Sequence, residues 1–135
     1  MQLSPYLSFS GQCAEAFKFY QECLGGELNM HTHGDSPMKD EVPPGWGDKI
    51  MHARLAFDGN ALMGCDAPPQ YFAKPQGITV SLSLPDPAAA ERVFKALADQ
   101  GTISMPFGKT FWSAGFGMLT DRFGTPWMVN TEPPA

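Results

Sequence analysis

The chain has 135 residues, 43% hydrophobic and only 17% charged, which excludes a disordered acidic tail and a long exposed coiled coil, both far richer in charge. Its net charge of −5, with 9 Lys and Arg and no basic stripe, works against nucleic acid as a partner, because phosphate binding needs a concentrated basic face. The length admits one compact domain, or two half-size modules that must pack together to bury enough apolar surface.

The 14 Gly and 13 Pro favour short elements joined by tight turns. Met1 to Tyr6 lack a basic segment followed by an apolar run, and no stretch approaches the roughly 20 apolar residues that span a bilayer, so a soluble, cytoplasmic protein with no membrane partner is expected. Residues 3–10 read as a strand and 11–24 as a helix, with Ala14, Phe17 and Leu24 at helical spacing and Gly25-Gly26 as a left-handed stop. Residues 27–32 read as a second strand, 33–47 as a polar loop, and 49–57 with 60–66 as a hairpin around Asp58-Gly59. Cys13, Cys23 and Cys65 are odd in number and lack metal-type spacing, which points to reduced thiols.

The same order then recurs. Residues 78–84 read as a strand, and Asp86-Pro87 supplies an N-cap and a first-turn proline for a helix running to about Gln100, with Gly101 as its stop. Residues 102–105 form a strand, and 115–120 with 126–130 a hairpin around Asp121-Arg122-Phe123-Gly124. One ungapped shift lays Leu7, Ser8 and Phe9 on Leu82, Ser83 and Leu84, Ala14 on Ala89, Phe19 on Phe94, Gly26 on Gly101, Leu28 on Ile103 and Met30 on Met105. These are the buried, turn and strand positions that a duplicated unit would keep. The expectation is one domain over 1–135 built from two βαβββ modules, 1–70 and 76–135.

Pro5-Tyr6-Leu7-Ser8-Phe9-Ser10-Gly11, Ala14-Glu15-Ala16-Phe17-Lys18-Phe19-Tyr20 and Leu24-Gly25-Gly26, with the closing Phe111-Trp112-Ser113-Ala114-Gly115-Phe116-Gly117, Thr120-Asp121-Arg122-Phe123-Gly124 and Pro126-Trp127-Met128, resemble PhnB-like proteins. These lie within the vicinal oxygen chelate superfamily of glyoxalases, bleomycin-resistance proteins and extradiol dioxygenases. The resemblance covers essentially the whole chain. It implies an α+β fold: two paired βαβββ modules forming a curved, half-open mixed β-sheet barrel around a cleft, one helix outside each module, in a homodimer. Members of this branch often carry the label of a demethylubiquinone methyltransferase. No G-x-G-x-x-G loop follows any strand here, so a methyl-donor site has no support in the sequence.

In metal-dependent relatives four ligands, normally His or Glu, point into the cleft from the first and last strand of each module, where Lewis-acid chemistry needs N and O donors. Counting from the hairpin glycines, the Glu positions hold Met63 and Met128; the first-strand positions fall near Pro5 or Tyr6 and near Thr79. A thioether and a hydroxyl are poor ligands for hard or borderline metals, so no family metal and no cofactor are expected. His31 and His33, with Asp35, offer a second metal pair or simply a solvated strand end.

If Asp58-Gly59 is a two-residue loop, His52 stands opposite Cys65, Arg54 opposite Met63 and Leu55 opposite Leu62. Since the resemblance puts Met63 in the cleft, alternation places His52, Arg54 and Cys65 there too, with Leu55, Phe57 and Leu62 facing the helix. His52 and Cys65 are then either a catalytic pair, with Arg54 holding an anionic substrate, or a structural His beside an inert thiol. Asp66 either orients a pocket His or begins the turn into Ala67-Pro68-Pro69. Tyr6, Ser8 and Ser10, like Thr79, Ser81 and Ser83, alternate with apolar residues and offer a hydroxyl face to a small polar ligand or to water. Phe111, Trp112 and Trp127 offer an aromatic wall for a planar ligand, or core.

Two functions follow. One is a binding protein for a small polar or planar molecule, the family metal lost. The other is an enzyme: a metal-independent lyase or isomerase using His52, Cys65 and Arg54, or a metal-dependent lyase or dioxygenase should the ligand register differ.

Overall fold

The computed structural model of the protein describes residues 1–37, 40 and 44–131, so the loop expected over 33–47 lies partly outside the described residues. The chain divides into two compact units, Met1–Ala73 and Lys74–Ala135. Each is a four-stranded mixed sheet with one helix, giving an α+β fold in which neither sheet closes on itself.

The first unit runs β1 (Tyr6–Phe9), α1 (Cys13–Leu24), β2 (Glu27–Thr32), β3 (Ile50–Phe57) and β4 (Asn60–Asp66), with sheet order β1-β4-β3-β2. β1 pairs parallel to β4, and β3 pairs antiparallel with both neighbours. Asp58 and Gly59 both take positive φ, 49° and 78°, which is the twist a two-residue hairpin requires. α1 buries Cys13, Ala16, Phe17 and Tyr20 rather than the Ala14 and Leu24 that periodicity singled out. Phe17 packs edge-on against Tyr20 at 5.6 Å and against Phe9 at 6.2 Å, over Ala53, Leu55 and Leu62. Gln12 gives α1 no side-chain cap. Asp66, at the far end of β4, does so instead: its Oδ1 accepts the amides of Gly11 and Cys13 at 2.9 Å, and its Oδ2 accepts that of Ile50 at 2.9 Å. One carboxylate therefore holds the start of α1 and the start of β3 to the end of β4.

The second unit repeats the plan as β5 (Val80–Leu84), α2 (Pro87–Ala98), β6 (Thr102–Gly108), β7 (Phe116–Thr120) and β8 (Pro126–Thr131), in the order β5-β8-β7-β6. Asp86 caps α2 through the Ala88 amide at 3.2 Å, with Pro87 in the first turn. The left-handed residue after α2 is Gln100, φ 61°, not Gly101. Gly101 is needed for closeness: a Cβ there would strike the Thr120 carbonyl oxygen, as one at Gly26 would strike that of Ala56. The duplication thus extends to backbone packing. The buried places of α2, Ala90, Phe94 and Leu97, repeat the spacing of Cys13, Phe17 and Tyr20 rather than falling on residues 15, 19 and 22 as the ungapped shift requires. β6 runs past Met105 through Pro106, with two register shifts, which a strand tolerates at a sheet edge where an amide can be missing. Trp127, Leu119, Val129, Phe94 and Leu97 form this unit's core.

Candidate functional site

The first unit leaves one sheet face uncovered by α1, and ladder register says which side chains occupy it. Arg54 stands opposite Met63 and Leu55 opposite Leu62, as the hairpin arithmetic requires. Leu55 and Leu62 are buried on the helix side, so Arg54 and Met63 are on the free face. Tyr6 pairs with Met63 and Ser8 with Cys65, which brings both to that face; His31 pairs with His52 and Asn29 with Arg54, which adds β2. Asn29 is not among the residues the sequence singles out, and His31 enters there only as half of a metal pair with His33; alternation along β2 places both on this face once the register is known.

Three of these groups meet. The Tyr6 hydroxyl lies 3.5 Å from His52 Nδ1, with ring centroids 6.0 Å apart, and it also interacts with the Cys65 thiol. Burial, and then the neighbouring Cys65, pushes the Tyr6 phenol up to about 12, so it stays protonated at physiological pH. Burial also pushes the Cys65 thiol up against the opposing pull of the Tyr6 hydrogen bond, with Asp66 adding to the rise. The thiol form is therefore favoured, which weakens Cys65 as a nucleophile and suits it to lining. Arg54 is exposed and has no carboxylate partner among the described residues, leaving a guanidinium free for an anion.

Other expected site residues are placed elsewhere. Asp66 is 2% exposed with both oxygens committed to backbone amides on the helix side, so it is a structural anchor rather than a ligand-binding group. Asp35 binds the Thr32 hydroxyl at 3.0 Å, and His33 packs against Trp46 with its Nε2 3.4 Å from the Asp66 carbonyl, so neither joins His31. Among the described residues no group of three or more His, Cys, Asp or Glu is placed to hold a metal ion.

In the second unit Ser81 pairs with Met128 and Ser83 with Asn130, on the face opposite buried Trp127 and Val129. Thr79 lies before β5 begins; the residue opposite Met128 is Ser81. Phe116 and Met118 share this face through Asn130 and Met128, and Trp112 packs edge-on against Phe116 at 5.4 Å. Phe111 meets Trp112 edge-on at 4.7 Å but is 96% exposed, while Trp127 is core, its Nε1 donating to Asp121 Oδ2 at 2.8 Å. Asp121 also accepts the amides of Phe123 and Thr125, so it organises the hairpin as well as turning it.

The positions where metal-dependent relatives hold ligands thus carry Tyr6 opposite Met63 and Ser81 opposite Met128. Two thioethers, a phenol held protonated and an aliphatic hydroxyl do not fit a hard or borderline ion.

A family model described as Glyoxalase/Bleomycin resistance protein/Dioxygenase superfamily matches residues 2–129. The chain is 39% identical to Protein YjdN of Escherichia coli (strain K12), over 96% of this chain and 95% of that one. Protein PA1353 of Pseudomonas aeruginosa has a similar structure, at TM-score 0.91 and 50% identity over 99% of both chains. A PhnB protein of Bacillus cereus, named as a candidate 3-demethylubiquinone-9 3-methyltransferase, matches at TM-score 0.79 and 25% identity over 97% of this chain and 99% of that one.

Proposed function

Since the chain belongs to the glyoxalase/bleomycin resistance protein/dioxygenase superfamily, we propose that it binds a small polar or planar molecule, with an anionic group, on its helix-free sheet faces and without the metal of its metal-dependent relatives. The observation that carries this reading is the free Arg54 guanidinium beside the Tyr6, His52 and Cys65 cluster. Arg supplies paired donors to an oxyanion; Tyr6 and Ser8 supply adaptable hydrogen bonds around it. Ser81, Ser83 and the Trp112 and Phe116 pair offer hydroxyls and an aromatic surface on the second unit. The protein works as a homodimer in the cytoplasm, a reading supported by superfamily membership. No helix among the described residues is long and apolar enough to cross a membrane.

A second reading, a metal-independent enzyme, is favoured by the contact of Tyr6 with His52, in which a protonated phenol sits against an imidazole. A screen of small carboxylates and phosphate esters by thermal stabilisation separates the two. Under the binding reading, alanine at His52 and Cys65 leaves the stabilisation largely intact; under the catalytic one, it abolishes turnover of the ligand found. No stabilisation by any small molecule would overturn both and leave a module for macromolecular contacts. Stoichiometric bound metal in protein purified without a His tag would overturn the metal-free reading.

A further inference from the structure

The thioethers that unfit these positions for a hard ion suit a soft one. Met105 of β6 lies opposite Met118 of β7, and Met118 lies opposite Met128 of β8. Met118 and Met128 pair in a regular ladder and so share the helix-free face, about 4.8 Å apart, and β6, bulged on both sides of Met105, pairs that residue with Met118 as the third of the row. Each side chain has three rotatable bonds, which lets the outer sulfurs lean toward the central one. Met105 is 39% exposed, so the row is reachable from solvent. Its neighbours on the face, Ser81, Ser83, Phe116, Thr120 and Asn130, are uncharged. Among the described residues paired along this face no cation competes for the place.

We propose that Met105, Met118 and Met128 bind a soft monovalent cation, Cu(I) or its closed-shell counterpart Ag(I), through three thioether sulfurs. Soft sulfur ligands select such ions over Mg, Ca or Mn, which favour oxygen. The chain's net charge of −5 attracts the cation, while the thioethers coordinate it without having to lose a proton. Binding therefore persists at acid pH, where imidazole and thiol ligands are protonated. At the equivalent level of the first unit stand Asn29, Arg54 and Met63, a single thioether beside a fixed positive charge, so the site belongs to the second unit alone.

The test adds Ag(I) to the full chain carrying Cys23→Ser and Cys65→Ser, so that partly exposed thiols do not compete, with the methionine methyl groups labelled with carbon-13 for NMR. Three of the eight methionine methyl signals are expected to shift together and saturate at one equivalent, at neutral pH and again at about pH 5. Met118→Leu keeps the volume, removes the central sulfur and should abolish the joint shift while weakening Ag(I) binding about tenfold or more. Met105→Leu lies on an exposed edge strand and gives the same reading should Met118→Leu fail to fold. Shifts spread over all eight methyls, an unchanged response in the folded variants, or binding that vanishes at about pH 5 overturns the proposal.

Discussion

On the helix-free face of the first unit Arg54 stands opposite Met63; at the same place in the second unit Met118 stands opposite Met128. Carried along the ladders, that equivalence sets Phe116 in the place of His52, Asn130 in that of Cys65, Ser81 in that of Tyr6 and Met105 in that of Asn29. Ser83 repeats Ser8. The helix-facing positions within the sheets stay apolar, Leu55 matching Leu119 and Leu62 matching the larger Trp127, and change in charge only at the strand end, where Asp66 matches Thr131. A buried face must keep filling the same space against a helix, whereas a free face can change its chemistry with little penalty to the fold. Duplication followed by this one-sided divergence leaves titratable groups on one unit and soft, aromatic and hydroxyl groups on the other.

The largest contrast expected is between Asp66 and its counterpart Thr131, the residues opposite Phe9 and Leu84. Asp66→Ala strands three backbone amides and should lower stability by about 3 kcal/mol or more, read by urea unfolding. Thr131→Ala removes a long side-chain bond to the Pro85 carbonyl, 3.4 Å, and should lower it by about 1 kcal/mol. Equal losses would show that the two anchors are interchangeable.

Next comes Arg54→Met, which installs the residue of the other unit. It should weaken binding of an anionic ligand by about 10- to 100-fold, the scale of a hydrogen bond to a charged group, with the unfolding midpoint unchanged. Titration calorimetry checks it; retained affinity would move the anion site off this face. Ser81→Ala, on the second unit, should change affinity by no more than about 0.5–1.5 kcal/mol, the worth of one neutral hydrogen bond.

The smallest effect is on pH dependence. The folded Tyr6 phenol is pushed from 10.0 up to about 12, so its contribution to stability is fully present below 10.0 and is lost as pH rises toward 12, because the unfolded chain releases that proton first. The raised Cys65 thiol acts in the same direction. Thermal unfolding followed across this window should show less alkaline loss for Tyr6→Phe than for the parent chain. An identical decline would mean that the cluster does not hold the proton.

Much of the frame was legible. The Asp58-Gly59 hairpin fixed the register of β3 and β4, and with it the common face of Arg54 and Met63, because a two-residue turn and strand alternation leave no freedom. The Asp86-Pro87 start of α2 was equally local. Along α1 the spacing identifies Phe17 as core, whereas Ala14 and Leu24 are only half-buried and Cys13, Ala16 and Tyr20 complete the buried stripe. The sequence leaves the Asp66 carboxylate open between a pocket role and the turn into Ala67-Pro68-Pro69, because nothing local says which distant amides its oxygens will meet.

Local chemistry in the sequence thus determined the elements, their doubling, both hairpins and which residues alternate together, since turns, caps and strand periodicity act over a few neighbours. Tertiary structure alone decided that Tyr6 meets both His52 and Cys65, that Asp66 caps a helix 53 residues away, and that Met105, Met118 and Met128 stand abreast. Those pairings join strands distant in sequence. Their register depends on parallel β1–β4 docking and on the irregular edge strand β6, where no turn signal dictates the match.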